Sequence, residues 1–342
     1  MAEPLRVIDF GCRPPLQSQT LWHAIGYGVS TGAPTTISFV RPAAPYVSLG
    51  YHRGSDEVDL DYCRAKGLPV LRRMVGGGPV YLDEDQLFFQ ICLPVRAVPA
   101  ARCRAMRILL EPAVTAFGLV GVPAALDDDL EVCVDDRKIC GHAAGQIDDA
   151  VVVCGNLIER FDHARATRVL ALADPVQRDQ TLVLMRRFVT ATPVDQAEFR
   201  AAMVSAYAEA FGLTPVPGEL TVTEVTAVSE LDERFVSDRW LAGPYRPARP
   251  ADTGGLAHQV KVRAGVWTFS AAYEGAQVAA GVVRGTVDQV RLSDAGLNGS
   301  ARQAERALIG VPLHSVAQVL AGFGEPGRRL TAAFAMADSR RL

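Results

Sequence analysis

The chain has 342 residues, 49% hydrophobic and 21% charged, with a formal net charge of −3. That length allows two domains, or one large domain with an appendage, and the composition is that of an ordinary globular protein. The acidic balance argues against a sequence-wide basic surface for nucleic acid. No apolar run approaches the roughly 20 residues that span a bilayer. The opening MAEPLRVIDFGCRPP has neither the basic start nor the apolar segment of a secretion signal, so a cytoplasmic protein is expected.

The seven cysteines, Cys12, Cys63, Cys92, Cys103, Cys133, Cys140 and Cys154, are odd in number and show no CxxC spacing. Reduced thiols in the core and no structural metal are the expectation. Of 35 basic residues only three are lysine, namely Lys66, Lys138 and Lys261. In a chain that otherwise uses arginine for positive charge, a retained lysine points to work that arginine cannot do.

In chain order, a helix is predicted around Gln17–Gly28, followed by two short proline-broken strands in ISFVRPAAPYVSLGY. Asp56–Lys66 has helical spacing and ends at Gly67. PVLRRM reads as a strand into three glycines, QLFFQICLPV as a buried strand, and 101–117 as an amphipathic helix. LEVCV, KICGHAAGQ and AVVVCGNLIE read as strands, with turns at the Asp pairs 135–136 and 148–149. Helices are expected in 163–174 and 193–211, and a loop at PVPGELT. The proline- and glycine-dense stretch 243–255 reads as a linker between a domain 1–242 and a unit 256–342 of two or three strands followed by helices.

Two stretches carry chemistry. In RRMVGGGPVY, Arg72 and Arg73 stand beside Gly76, Gly77 and Gly78, pairing two-pronged cations with backbone that a ligand can approach closely. That suits an anion, foremost a phosphate; a flexible hairpin with solvent-facing arginines is the plainer alternative. The pattern is neither GxxxxGK[ST] nor GxGxxG. In DDDLEVCVDDRKICGHAAG, Lys138 enters a strand downstream of Asp127, Asp128 and Asp129. The ammonium can act as a point charge in a cleft, and the carboxylates can hold a divalent cation on a polyphosphate. A surface lysine beside a solvated acidic loop is the ordinary alternative. Cys140 and Cys154 are conceivable nucleophiles, but buried strand cysteines are more commonly packing residues. His142 is likewise a conceivable base.

Together and in this order, these residues resemble the lipoate–protein ligase A family within the biotin/lipoate ligase superfamily. The likeness rests on Arg72, Arg73, Gly76, Gly77, Gly78, Pro79, Val80, Tyr81 and Asp83, then on Asp128, Asp129 and Leu130, and on Arg137, Lys138, Ile139 and Gly141. PYVSLGYHRGSDEVD upstream and CGNLIERFD downstream extend it over about residues 20 to 200. KVRAGVW…AERALIGVPL resembles the accessory domain of such ligases.

The resemblance implies an α+β fold: a large mixed β-sheet domain flanked by helices, of the class II synthetase and biotin ligase kind, with a small α/β accessory domain. It implies that ATP, with Mg²⁺, activates lipoate or octanoate to an acyl-adenylate. The acyl group then passes to a lysine of a carrier: an E2 lipoyl domain, a glycine-cleavage H-like protein or a lipoate-binding protein. In that scheme Lys138 bridges carboxylate and α-phosphate, and Arg72 or Arg73 neutralises phosphate or carboxylate oxygens. The glycines, Pro79, Asp83, Gly141 and His142 border the nucleotide, Val80 and Tyr81 lie by the adenine, and Asp128 and Asp129 face the metal.

The chain departs from the family at Val75 (usually Ser or Thr), Pro79 (usually Ala), Asp85-Gln86 (usually Gly-Asn) and His142 (usually Ser). These departures suggest a divergent branch, one that serves a specialised carrier such as the lipoate-binding proteins of sulfur oxidation. The rivals are a cysteine-dependent octanoyl or lipoyl transferase of the same superfamily and a non-catalytic carrier-binding protein. The transferase's cysteine would lie a few residues before the lysine turn, where VPAALDDDLEV has none.

Overall fold

A computed structural model describes residues 3–172, 174–243 and 257–338. The chain divides into two units, Met1–Leu170 with Thr190–Arg246, and Ala171–Val189 with Pro247–Leu342. Apart from Gly243, the expected linker lies outside the described residues.

The first unit is built on a six-stranded mixed sheet in the order His142–Ile147, Ala150–Ile158, Gln86–Pro94, Thr36–Pro42, Pro4–Arg13, Thr214–Pro217. The two pairings of Pro4–Arg13 are parallel and the others antiparallel. QLFFQICLP is apolar throughout because it is central and covered on both faces. Leu87, Phe89, Ile91 and Leu93 point to one side, where helices Arg102–Leu119 and Gln196–Phe211 bring Phe117 and Phe199. Phe88 and Cys92 point to the other, against Trp22 and Ile25 of helix Pro15–Ser30. Helix Val222–Phe235 packs outside Pro15–Ser30 and is tied to the sheet by Arg6, whose Nη1 lies 2.8 Å from Glu224 Oε2. Gly28 lets the two helices close up, since a Cβ there would sit 2.1 Å from Glu224 Oε1.

Two small three-stranded sheets carry the motifs. One pairs Tyr46–Leu49 with Val70–Arg72 and Val80–Leu82, and the other pairs Val132–Val134 with Ala125–Leu126 and Arg137–Cys140. The segment read as one strand, KICGHAAGQ, breaks at Gly141 and serves two sheets. PVPGELT contains the end of an edge strand, Thr214–Pro217, in place of a loop throughout. An edge position tolerates the missing N–H groups of Pro215 and Pro217.

The second unit is a four-stranded antiparallel sheet, Ala257–Arg263, Val266–Tyr273, Ala276–Val283 and Thr286–Ser293. Trp267, Phe269 and Ala271 face helices Ala301–Leu308, Val316–Leu320 and Gly324–Asp338. The alternate residues Val266, Thr268 and Ser270 face helix Pro175–Phe188 through Leu184, Phe188, Gln177 and Thr181. This helix, capped by Asp174 with Pro175 at its first turn, comes from inside the 1–242 stretch that the sequence reads as the first domain. The helical run expected over 163–174 is shorter, His163–Arg168. No helix among the described residues is long and apolar enough to cross a membrane.

Candidate functional site

The Arg-Arg-glycine stretch is a loop wrapped around its own arginines. Arg72 is fully buried, and its guanidinium donates to the carbonyls of Gly50, Tyr51 and Arg53 and, 168 residues away in sequence, of Trp240 and also Leu241. Trp240 Nε1 returns a bond to Arg72 O at 2.9 Å. Arg73 donates to Ser48 O and Oγ, to Gly76 O through Nε and Nη2, and to Gly78 O. Burial pulls both guanidinium pKa values below the ordinary arginine range. The role implied by resemblance, oxyanion contact, is therefore not where the described donors point: all these bonds reach backbone carbonyls or Ser48 Oγ.

The glycines divide the work. Gly77 takes φ +97°, and a Cβ there would fall 2.5 Å from Arg73 Nη2. A Cβ at Gly50 would fall 1.9 Å from Gly77 O. Those two positions let the loop close on the guanidinium. Gly76 and Gly78 instead face open space, with nothing within 4 Å of a Cβ. Behind the loop, Met74 N donates to His23 Nε2 at 2.9 Å, while His23 Nδ1 donates to Gln19 O at 2.6 Å. Burial drops the His23 pKa to about 3, so the ring is neutral, with its proton on Nδ1. Val75, in place of a hydroxyl residue, is a core side chain packed on Gly145.

Lys138 is the second residue of strand Arg137–Cys140, after a turn in which Asp135 and Asp136 both take positive φ. Its ammonium lies 2.6 Å from Glu131 Oε2, a carboxylate absent from the sequence reading, and His142 Nδ1 is 3.9 Å from the same oxygen. Thr190 N holds Lys138 O at 2.9 Å. Asp128 and Asp129 are exposed, and no group of three His, Cys, Asp or Glu among the described residues could hold a metal ion. The acidic run is thus no preformed metal cage; a Mg²⁺ ion here would come with polyphosphate oxygens, which is how Mg²⁺ is commonly held.

The fold brings the two motifs together through strand His142–Ile147, whose Ala143 Cβ is 3.9 Å from a Cβ built at Gly77. A buried amide chain links them again. Gly141 N donates to Asn156 Oδ1 at 2.6 Å, Asn156 Nδ2 to Gln86 Oε1 at 2.7 Å, and Gln86 Nε2 to Asp83 Oδ1 at 3.2 Å. Burial raises the Asp83 pKa. Tyr81 is buried, with its hydroxyl accepting from Arg165, while Val80 is 41% exposed. Pro79 is half-buried between them and Gly78. Glu131, Asn156 and His23 were not picked out by sequence, because burial and the choice of buried partner are set by packing rather than by local pattern.

Cys140 and Cys154, near this region, are poorly suited to ionise. Burial pushes Cys140 up to about 12 and also raises Cys154. Cys133 lies opposite Lys138 in the strand ladder, and its Sγ donates to Asp127 Oδ2 at 3.9 Å.

Residues 17–207 match the family model of the lipoyl protein ligase A/B catalytic domain. The octanoyltransferase LipM of Symbiobacterium thermophilum is 27% identical over 266 residues, 69% of this chain and 97% of that protein. In fold, the chain is similar to the bi-partite lipoate protein ligase of Thermoplasma acidophilum, solved in a study of an archaeal lipoylation system with its E2 lipoyl domain. The TM-score is 0.65 at 23% identity, over 72% of this chain and 98% of that one. The LipL1 of P. falciparum in complex with lipoate aligns with a TM-score of 0.54 at 12% identity, over 94% of this chain and 93% of its own.

Proposed function

The chain belongs to the lipoyl protein ligase A/B catalytic domain family, and from that premise we propose that it is an ATP-dependent lipoate–protein ligase. It joins lipoate or octanoate to AMP with loss of pyrophosphate, then passes the acyl group to a lysine of a lipoyl-carrier protein. One observation carries the reading: Lys138, one of three lysines, holds its ammonium beside a carboxylate, in a unit whose glycine loop leaves open space at Gly76 and Gly78.

Attack of a carboxylate on an α-phosphate brings negative groups together, so a preorganised cation lowers the barrier where charge accumulates. Lys138 supplies it. Gly76 and Gly78 let the nucleotide lie against the main chain, while Arg72 and Arg73 hold the loop in shape from behind. Asp128 and Asp129 are the carboxylates available to a Mg²⁺ ion arriving on ATP. The carrier is proposed to be a lipoyl domain or a specialised lipoate-binding protein, the latter suggested by Val75 and His142.

A second reading, a cysteine-dependent acyltransferase, is favoured by the LipM relative and by Cys133 standing opposite Lys138. It requires a thiolate, and the Cys133 Sγ is turned to Asp127 Oδ2 at 3.9 Å. Pyrophosphate release from ATP, Mg²⁺ and lipoate separates the two. Release that needs lipoate and disappears in Lys138→Ala supports the ligase. No release, together with ATP-independent transfer from an octanoylated carrier that Cys133→Ala abolishes, selects the transferase.

A further inference from the structure

The acidic run places a carboxylate against the lysine by a specific turn. Asp127 Oδ1 accepts from Asp129 N at 3.0 Å and from Glu131 N at 2.9 Å, Asp127 N donates to Glu131 O at 3.1 Å, and Leu130 takes φ +62°. The turn leaves Asp128 and Asp129 in solvent and sends Glu131 inward, where it is 4% exposed. A carboxylate buried to that degree is costly unless paired, and its Oε2 lies 2.6 Å from Lys138 Nζ.

We infer that Glu131 is a positioning residue for the adenylation step, fixing the Lys138 ammonium at the point where acyl carboxylate and α-phosphate meet. The inference rests on the ligase reading and gives a role to a carboxylate that reading leaves without one. The backbone of Lys138 is already held by the Cys133 ladder pairing and by Thr190 N. The ion pair therefore decides only where the far end of a flexible four-carbon chain sits. The 2.6 Å ion pair restrains the ammonium electrostatically; without Glu131 the side chain samples other rotamers, so fewer bound complexes are in reactive geometry.

The test is steady-state pyrophosphate release by the full chain as wild type, Glu131→Gln, Lys138→Met and the double variant, with a thermal melt of each. Glu131→Gln is expected to lower kcat by about 10- to 100-fold while KM for ATP and for lipoate stays within about twofold. In the Lys138→Met background the same change should have no further effect on residual turnover, because there is no ammonium left to place. An unchanged kcat, a change in KM alone, or an equal loss of kcat in both backgrounds overturns the inference. An active wild type beside an unaffected Glu131→Gln sinks only the inference, whereas a wild type that releases no pyrophosphate sinks the ligase reading and the inference with it.

Discussion

The two cationic stretches of the first unit use charge in opposite ways. Arg72 and Arg73 are buried and face carbonyls, so their donors hold main chain in place. Lys138 keeps 17% of its side chain exposed and faces a single carboxylate. A guanidinium has five donors fixed in a plane and can gather several carbonyls at once, whereas an ammonium is a compact charge that a neighbour can aim. In the ligase reading, arginine builds the loop and lysine is left for the chemistry. Stability and activity should separate accordingly.

The largest effect is expected on the arginine side. Arg72→Ala strands the carbonyls of Gly50, Tyr51, Arg53, Trp240 and Leu241. Each buried unsatisfied group costs about 1–3 kcal/mol, so a loss of about 4 kcal/mol or more is expected. That is a fall in Tm of roughly 8–16 °C, read by calorimetry, and Arg72→Lys should recover less than half of it. On the lysine side, Lys138→Ala should cut pyrophosphate release by about 10²–10³-fold, with a smaller fall in Tm. If the arginine variant lost turnover at full stability, the division would be wrong.

The same contrast can be drawn within the glycines. Gly77→Ala meets both a positive φ and Arg73 Nη2, and should cost about 1–3 kcal/mol of stability. Gly76→Ala has open space and should leave Tm unchanged while raising KM for ATP. Equal melting losses at the two positions would erase the distinction between loop closure and ligand face.

His23 sharpens the comparison by pH, because its ring holds Met74 behind the arginine loop. Its folded pKa of about 3 lies below the unfolded value of about 6.5. The contribution is therefore whole above pH 6.5 and is lost as pH falls toward 3, at a slope approaching about 1.4 kcal/mol per pH unit. Denaturation of His23→Gln between pH 6 and 4 should show a slope shallower by one proton. The smallest effect is chemical: Cys12 and Cys103 are the exposed thiols and should react with a disulfide reagent at pH 8 well before Cys140 and Cys154.

The sequence alone determined the family, the α+β class and the two motifs, because glycine runs, a scarce lysine and Asp-Asp turns are local features with local causes. It also placed Lys138 at the start of a strand after a tight turn. Only the tertiary structure decided what the cations face. The partners of Arg72 at Trp240 and Leu241 come from helix Asp238–Ala242, a segment with no motif of its own whose Trp240 stacks on Phe235. Glu131 stood in plain view within DDDLEVCV, but alternation along a strand does not say that a bulge and an Asp127 turn will aim it at Lys138. Helix Pro175–Phe188, inside the 1–242 stretch by sequence, belongs to the second unit for the same reason: its burial of Gln177 and Thr181 depends on Thr268 and Ser270, about 90 residues on. Local propensity specifies elements; which buried polar group meets which is a property of the packed whole.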